Sequence, residues 1–157
     1  MKSFSKFVVG VGVVASLMMS SPAHSVELKG DLVKYEKPIE LCLEVYALGL
    51  DNMIAMFVLG GKELPSESEM TVLDQKAVDL CLCKYAILSV TYNDPSKEKH
   101  FISDMAKSEE FLMKAMNDAD YGKSKYQANK IVNSLHFGYL SLAQSVDAMD
   151  VCEKSLQ

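Results

Sequence analysis

The sequence contains no arginine: all 16 of its basic residues are lysines, set against 21 carboxylates, for a formal charge of −5. Without the planar guanidinium fork, the chain lacks the usual means of gripping phosphates and base edges by two-point contacts. Nucleic acid is therefore not an expected partner, because its binding rests on cationic neutralisation of phosphates. Catalytic signatures are lacking as well. The chain has no Gly-x-Ser-x-Gly elbow, no Gly-rich phosphate loop, no calcium loop, no His-Glu-x-x-His and no Cys-x-x-Cys-His. No proline-rich or low-complexity stretch divides it. One domain is expected, and a non-enzymatic role.

What is present begins with an export signal. Lys2 and Lys6 precede an apolar run from Phe7 to Met19, followed by the small, polar exit Ser20–Ser25. The run is too short for the roughly 20 residues that a membrane-crossing helix needs, so removal is expected rather than retention as a stable anchor. Cleavage after Ser25 sets Ala23 and Ser25 in the two small-residue subsites, with cleavage after Ala23 as the competitor. No cysteine stands at either junction to take a lipid. Loss of Lys2 and Lys6 with no carboxylate takes the formal charge from −5 to −7. The expected organisation is a cleavable signal over 1–25, an extended lead-in over 26–37 and a single helical domain over 38–157, placed in the periplasm or secreted.

From Pro38 onward the apolar residues fall at helical spacing. Ile39, Leu43, Tyr46, Leu50, Met53 and Phe57 lie on one face, and Leu41, Val45, Leu48, Ile54 and Val58 occupy others, which predicts a core helix enclosed on several sides. Gly60-Gly61 supplies its stop. Ser66 and Glu69 have the spacing of a capping box opening helix two, which carries Met70, Leu73, Ala77, Cys81, Tyr85 and Leu88 inward. Asp94-Pro95 then caps and starts helix three, whose inward face is read as Phe101, Met105, Leu112 and Met116, with a possible break at Ser108-Glu109-Glu110. Asn117 to Gly122 is a turn. Helix four carries the most regular seam of all: Ala128, Val132, Leu135, Tyr139, Leu142, Val146 and Met149. The fold class is all-α, an up-down four-helix bundle with helix three either continuous or broken.

Four cysteines, Cys42, Cys81, Cys83 and Cys152, all follow the signal and predict two disulfides in an oxidising compartment. If helices one and two are antiparallel about a loop near Lys62, residues at equal height have numbers summing to about 125. Cys42 with Cys83 meets that condition, leaving Cys81 with Cys152; Cys42 with Cys81 and Cys83 with Cys152 is the close rival. A bridge within Cys81-Leu82-Cys83 is opposed by helical directions. A redox or metal role for these two cysteines is disfavoured, since they sit deep in a helix among leucines and away from thiolate-stabilising cations. Leu41–Ala47 and Leu80–Ala86 share Leu, Cys, Leu, Tyr and Ala in register, which reads as two helices with one packing solution or as an old duplication.

Other constellations read as structural. Met53/Met56 and Met113/Met116 could present paired thioethers to Cu(I), although methionine at helical spacing ordinarily fills core gaps. His100 and His136 stand alone in sequence, so no cofactor is expected. Glu67/Glu69, Glu109/Glu110, Asp118/Asp120 and Asp147/Asp150 read as solvated faces or helix-end charges. The expected function is that of an exported binding protein, a protein–protein partner of inhibitor or immunity type, presenting the Gly60–Glu69 loop or the Asp118–Lys125 turn. The alternative is a soft-metal (copper) or small-ligand carrier using Met53, Met56, Met113 or Met116.

Overall fold

The structure, a computed structural model, describes residues 27–91, 94–117 and 129–156. The signal expected over 1–25, the turn expected over Asp118–Lys125 and Ala128 of the expected helix-four seam lie outside the described residues. The lead-in is not wholly extended: Gly30, at φ +61°, opens a 3-10 helix over Gly30–Tyr35 that runs into α1 (Glu36–Leu59). Packing is the reason. Tyr35 is fully buried beside Tyr85, with ring centroids 5.8 Å apart, and this tertiary contact overrides a polar segment with no period of its own. Pro38 falls in the first turn of α1, where its missing N–H removes no helical bond, so the helix begins ahead of it.

The helix ends follow their local chemistry. α1 closes in a Schellman turn, with Lys62 N–H donating to Phe57 O at 2.9 Å and Gly61 N–H to Val58 O at 3.2 Å. Gly61 has φ +63°, where a side chain would be strained. α2 (Glu67–Thr91) opens on the reciprocal cap: Ser66 N–H donates to Glu69 Oε2 at 2.7 Å, and Glu69 N–H to Ser66 Oγ at 3.3 Å. α3 (Pro95–Asn117) starts under Asp94, whose Oδ1 accepts from Ser96 N–H at 3.0 Å. α4 spans Tyr139–Ser155.

Two helix readings are corrected. α3 is continuous, because Ser108 Oγ donates to Asp104 O at 2.8 Å and both Ser108 and Glu109 are buried, so the apparent polar interruption faces inward. Only the first half of its expected face is core, since Phe101 and Met105 are buried while Leu112 and Met116 are exposed. The fourth helix is interrupted. Residues 129–132 form one helical turn, 133–138 turn and bend, and Gly138 takes φ +54° before α4 begins. Its buried stripe is Ser141, Ser145, Ala148 and Cys152, whereas Tyr139 and Val146 of the expected seam are 70% and 59% exposed. Small side chains admit the close approach of a neighbouring helix that the Cys152 bridge enforces.

α1 and α2 form an antiparallel hairpin. α3 runs beside α1 in the same direction, with Lys34 Nζ 3.2 Å from Glu98 Oε2 at one end and the Met116 methyl 3.5 Å from the Cβ position of Gly49 further along. α4 packs on α2 and more lightly on α3, which leaves α2 and α3 across a diagonal of an all-α bundle. The shared core contains Tyr35, Ile39, Cys42, Cys81, Tyr85, Leu88, Phe101, Met105 and Ala148. It lies at the end of the hairpin away from the α1–α2 turn.

Both disulfides border this core, and the pairing is the rival one: Cys42 with Cys81 (Cα–Cα 6.0 Å) and Cys83 with Cys152 (5.9 Å). Equal height does not discriminate here. Cys81 and Cys83 differ by only ~3 Å of rise but by about 200° in direction, so direction decides. Cys81 faces α1 and Cys83 faces α4. Each bridge removes about 4 kcal/mol of unfolded-state freedom by the chain-entropy argument.

Across the bundle diagonal, Lys84 Nζ meets Glu109 Oε1 at 2.5 Å, and Tyr85 Oη donates to the same oxygen at 2.7 Å; all three side chains are buried. Burial first, and the Glu109 charge second, push the Tyr85 phenol well above its ordinary pKa, so it remains a donor. Removing one partner strands the other charge. Glu109→Ala is expected to cost about 3–5 kcal/mol in urea unfolding of the oxidised protein, whereas Lys84→Met with Glu109→Gln, which keeps an acceptor for Tyr85, recovers most of it.

Candidate functional site

α1 carries more apolar surface than its neighbours cover. α3 ends at Asn117, one residue past the Met116 that packs at Gly49, so among the described helices only α2 runs beside the last two turns of α1. The core reading of helix one therefore holds for its first half alone. Met56, Leu59 and Val72 are 73%, 87% and 66% exposed, and Val58 and Leu64 are exposed beside them. The 30-residue helical stretch Gly30–Leu59 contains an 18-residue window of mean hydropathy 1.6, long and apolar enough to cross a membrane by length and composition, yet only 11% of that window is buried. That surplus is displayed at the hairpin tip.

Between α1 and α2 the tip holds an open groove of about 510 Å³. Met53, Phe57, Pro65, Val72 and Leu73 line it, with Ser68 and Glu69 at its edge. The turn that frames it is stiff, since the Schellman bonds and the capping box fix both of its ends, and Lys62 Nζ lies 5.7 Å from the Phe57 ring centroid. Its rim is acidic. Over residues 51–76 the chain has Asp51, Glu63, Glu67, Glu69 and Asp74 against Lys62 and Lys76. The Ser66 hydroxyl and amide hold the Glu69 carboxyl below its usual range, so it stays charged. An exposed apolar patch with a polar rim is the form of a docking surface.

The sequence-predicted site residues are distributed unevenly over this frame. Met53 lines the groove; Met56 points to solvent, Met113 is half-buried, and Met116 is partly exposed at Gly49. The Gly60–Glu69 loop borders the groove, and its contribution is apolar as well as polar through Leu64 and Pro65. All four cysteines are disulfide-bonded, and Cys81 and Cys83 belong to different bridges. Glu109, read as part of a solvated pair, is buried on Lys84.

A second polar constellation was not legible. Asp104 is fully buried on α3 and accepts from His136 N–H (2.9 Å), Phe137 N–H (2.9 Å), the His136 ring at Nδ1 (3.0 Å) and Ser141 Oγ (3.0 Å). It serves as a tertiary cap. The N-cap residue of α4, Gly138, has no side chain to do so. Burial alone would raise the Asp104 pKa, but the Phe137 and His136 amides, the His136 ring and the Ser141 hydroxyl outweigh it and hold the group below 3.8. His136 also stacks on His100, with ring centroids 4.1 Å apart. The available signal was a carboxylate at position 104 of the stripe Phe101, Asp104, Met105, Ser108, Glu109, all of it buried.

Comparison with protein-family models, characterised proteins and solved structures gives no match. The functional reading thus rests on geometry.

Two outcomes test this assignment of surface and anchor. Replacing Met56 and Leu59 by Ser is expected to change unfolding free energy by less than about 0.5 kcal/mol each while lowering the binding of an apolar fluorescent dye, whereas Leu88→Ala costs about 2–5 kcal/mol. Asp104, with its lowered folded pKa, stabilises fully above pH 3.8 and loses that contribution as pH falls through the folded value. Asp104→Asn should cost about 2 kcal/mol near neutrality and flatten the acid limb of a stability–pH profile.

Proposed function

We propose that this chain is an exported, non-enzymatic binding protein that grips an apolar, positively charged segment of another protein with the α1–α2 tip. The observation that carries the reading is the exposed apolar end of α1 beside an open groove, held on a frame whose core lies at the opposite end. A surface of this kind is costly to leave in water and rewards a partner that covers it. The acidic rim, on a chain whose net charge is negative, favours a cationic partner and speeds its approach. An inhibitor or immunity-type role, in which the tip occludes a basic toxin or enzyme, suits a small rigid scaffold.

Two disulfides and an apolar N-terminal segment are consistent with an exported protein. We place it in the periplasm or outside the cell. A second reading, a carrier for a small apolar ligand, is favoured by the groove volume, which falls in the range of small-molecule sites.

Site-specific photocrosslinking separates the readings. A photoreactive residue at Val72 in the mature chain, exposed to the exported fraction of the host, should give one protein adduct that is lost when Leu59→Asp is added. The same probe at exposed Val90 should give none. Equal labelling from both positions, or survival of the adduct in the Leu59→Asp background, would exclude the tip as the binding surface. Release of a small apolar molecule from the purified protein on denaturation, with no protein adduct, would favour the carrier.

A further inference from the structure

The stacked histidines are remote in sequence and are joined only by the fold. His100 lies in the second turn of α3, and His136 in the bend before α4. Asp104 fixes what His136 can do. Both of its carboxyl oxygens already accept, Oδ1 from the His136 amide and Oδ2 from the Phe137 amide and the Ser141 hydroxyl, so the His136 Nδ1 that lies 3.0 Å from Oδ1 is placed to donate the ring proton. In the neutral ring, Nε2 is then the nitrogen with the free lone pair. The side chain is 43% exposed, and His100 beside it is exposed.

A buried carboxylate that orients a partly exposed imidazole through Nδ1 is the outer-sphere arrangement by which proteins present Nε2 to a metal ion. We propose that His100 and His136 form a two-histidine site for an imidazole-preferring divalent cation of the Cu²⁺ or Zn²⁺ class, with Asp104 orienting His136 from behind. Imidazole nitrogens bind such ions at ~2.0–2.1 Å, which sets the centroids of two rings on one ion about 5 Å apart. The present 4.1 Å therefore needs an opening of roughly 1 Å, and exposed His100 can supply it by turning its ring. Among the described residues no third His, Cys, Asp or Glu completes a cluster, so the remaining positions go to solvent. The site is thus open. Copper(II) is the stronger of the two ions for nitrogen ligands. These residues are distinct from the methionines considered for Cu(I), and the site is independent of the tip.

The test is a titration of the oxidised mature protein with Cu²⁺, followed by calorimetry and by the visible absorption of the bound ion, with Zn²⁺ as competitor. One ion per chain is expected at the pair. Affinity should fall at least tenfold in His100→Ala and in His136→Ala and 10–100-fold in Asp104→Asn, and stay unchanged in Met53→Leu with Met56→Leu. His100 is exposed, so its variant keeps the fold and decides the matter alone. Selective broadening of both imidazole resonances in the wild-type NMR spectrum would agree. No binding by the wild type, or wild-type affinity retained in either histidine variant, overturns the proposal.

Discussion

The fold is organised by the covalent clamping of α2 on opposite sides. Cys81 and Cys83 leave the helix about 200° apart and take hold of α1 and α4, respectively. A helix held in this way can neither roll nor slide. The roll angle it fixes also aims the side chains between and beside the bridges, so Lys84 and Tyr85 are directed together at Glu109 on the far side of the diagonal. Buried charge is tolerable only in good geometry, and here the clamp supplies it. Tyr35, Phe101 and Met105 complete the same core around that charged centre.

This concentration of order at one end leaves the other end under-covered. The first turns of α1 share their core with α2, α3 and the 3-10 helix, while its last two turns run on beside α2 alone among the described helices. A hydrophobic helix longer than its packing partners must end in exposed apolar surface, and the tight turn at Gly60–Lys62 keeps that surface from folding back. The result is a molecule with a stability end and a display end. Their separation means that residues at the tip can be selected for contact without disturbing the core.

What was legible in the sequence was local. The glycine stop of α1, the Ser66–Glu69 box and the Asp94–Pro95 start each involve residues within a few positions of one another, and the structure forms all three. Four long helices and two bridges follow from periodicity and from the cysteine count. The failures share a cause. Cysteine pairing depends on direction around a helix, the stripe chosen by α4 on a bridge from its last turns, and the fate of Glu109 on a lysine 25 residues away. Asp104 finds its partners 32 to 37 residues downstream, and no spacing rule links them. Periodicity also reports how apolar α1 is without reporting how far its neighbours extend, so the exposed tip was hidden inside what read as core.

The bridges join cysteines in the order of their synthesis, first with second and third with fourth, so their loops follow one another without interlacing. For a chain threaded N-terminus first into an oxidising compartment, the hairpin bridge can close while the C-terminal third is still in transit. The later bridge then forms on an already pinned α2. Such an order spares the nascent chain the reshuffling that interlaced cross-links demand.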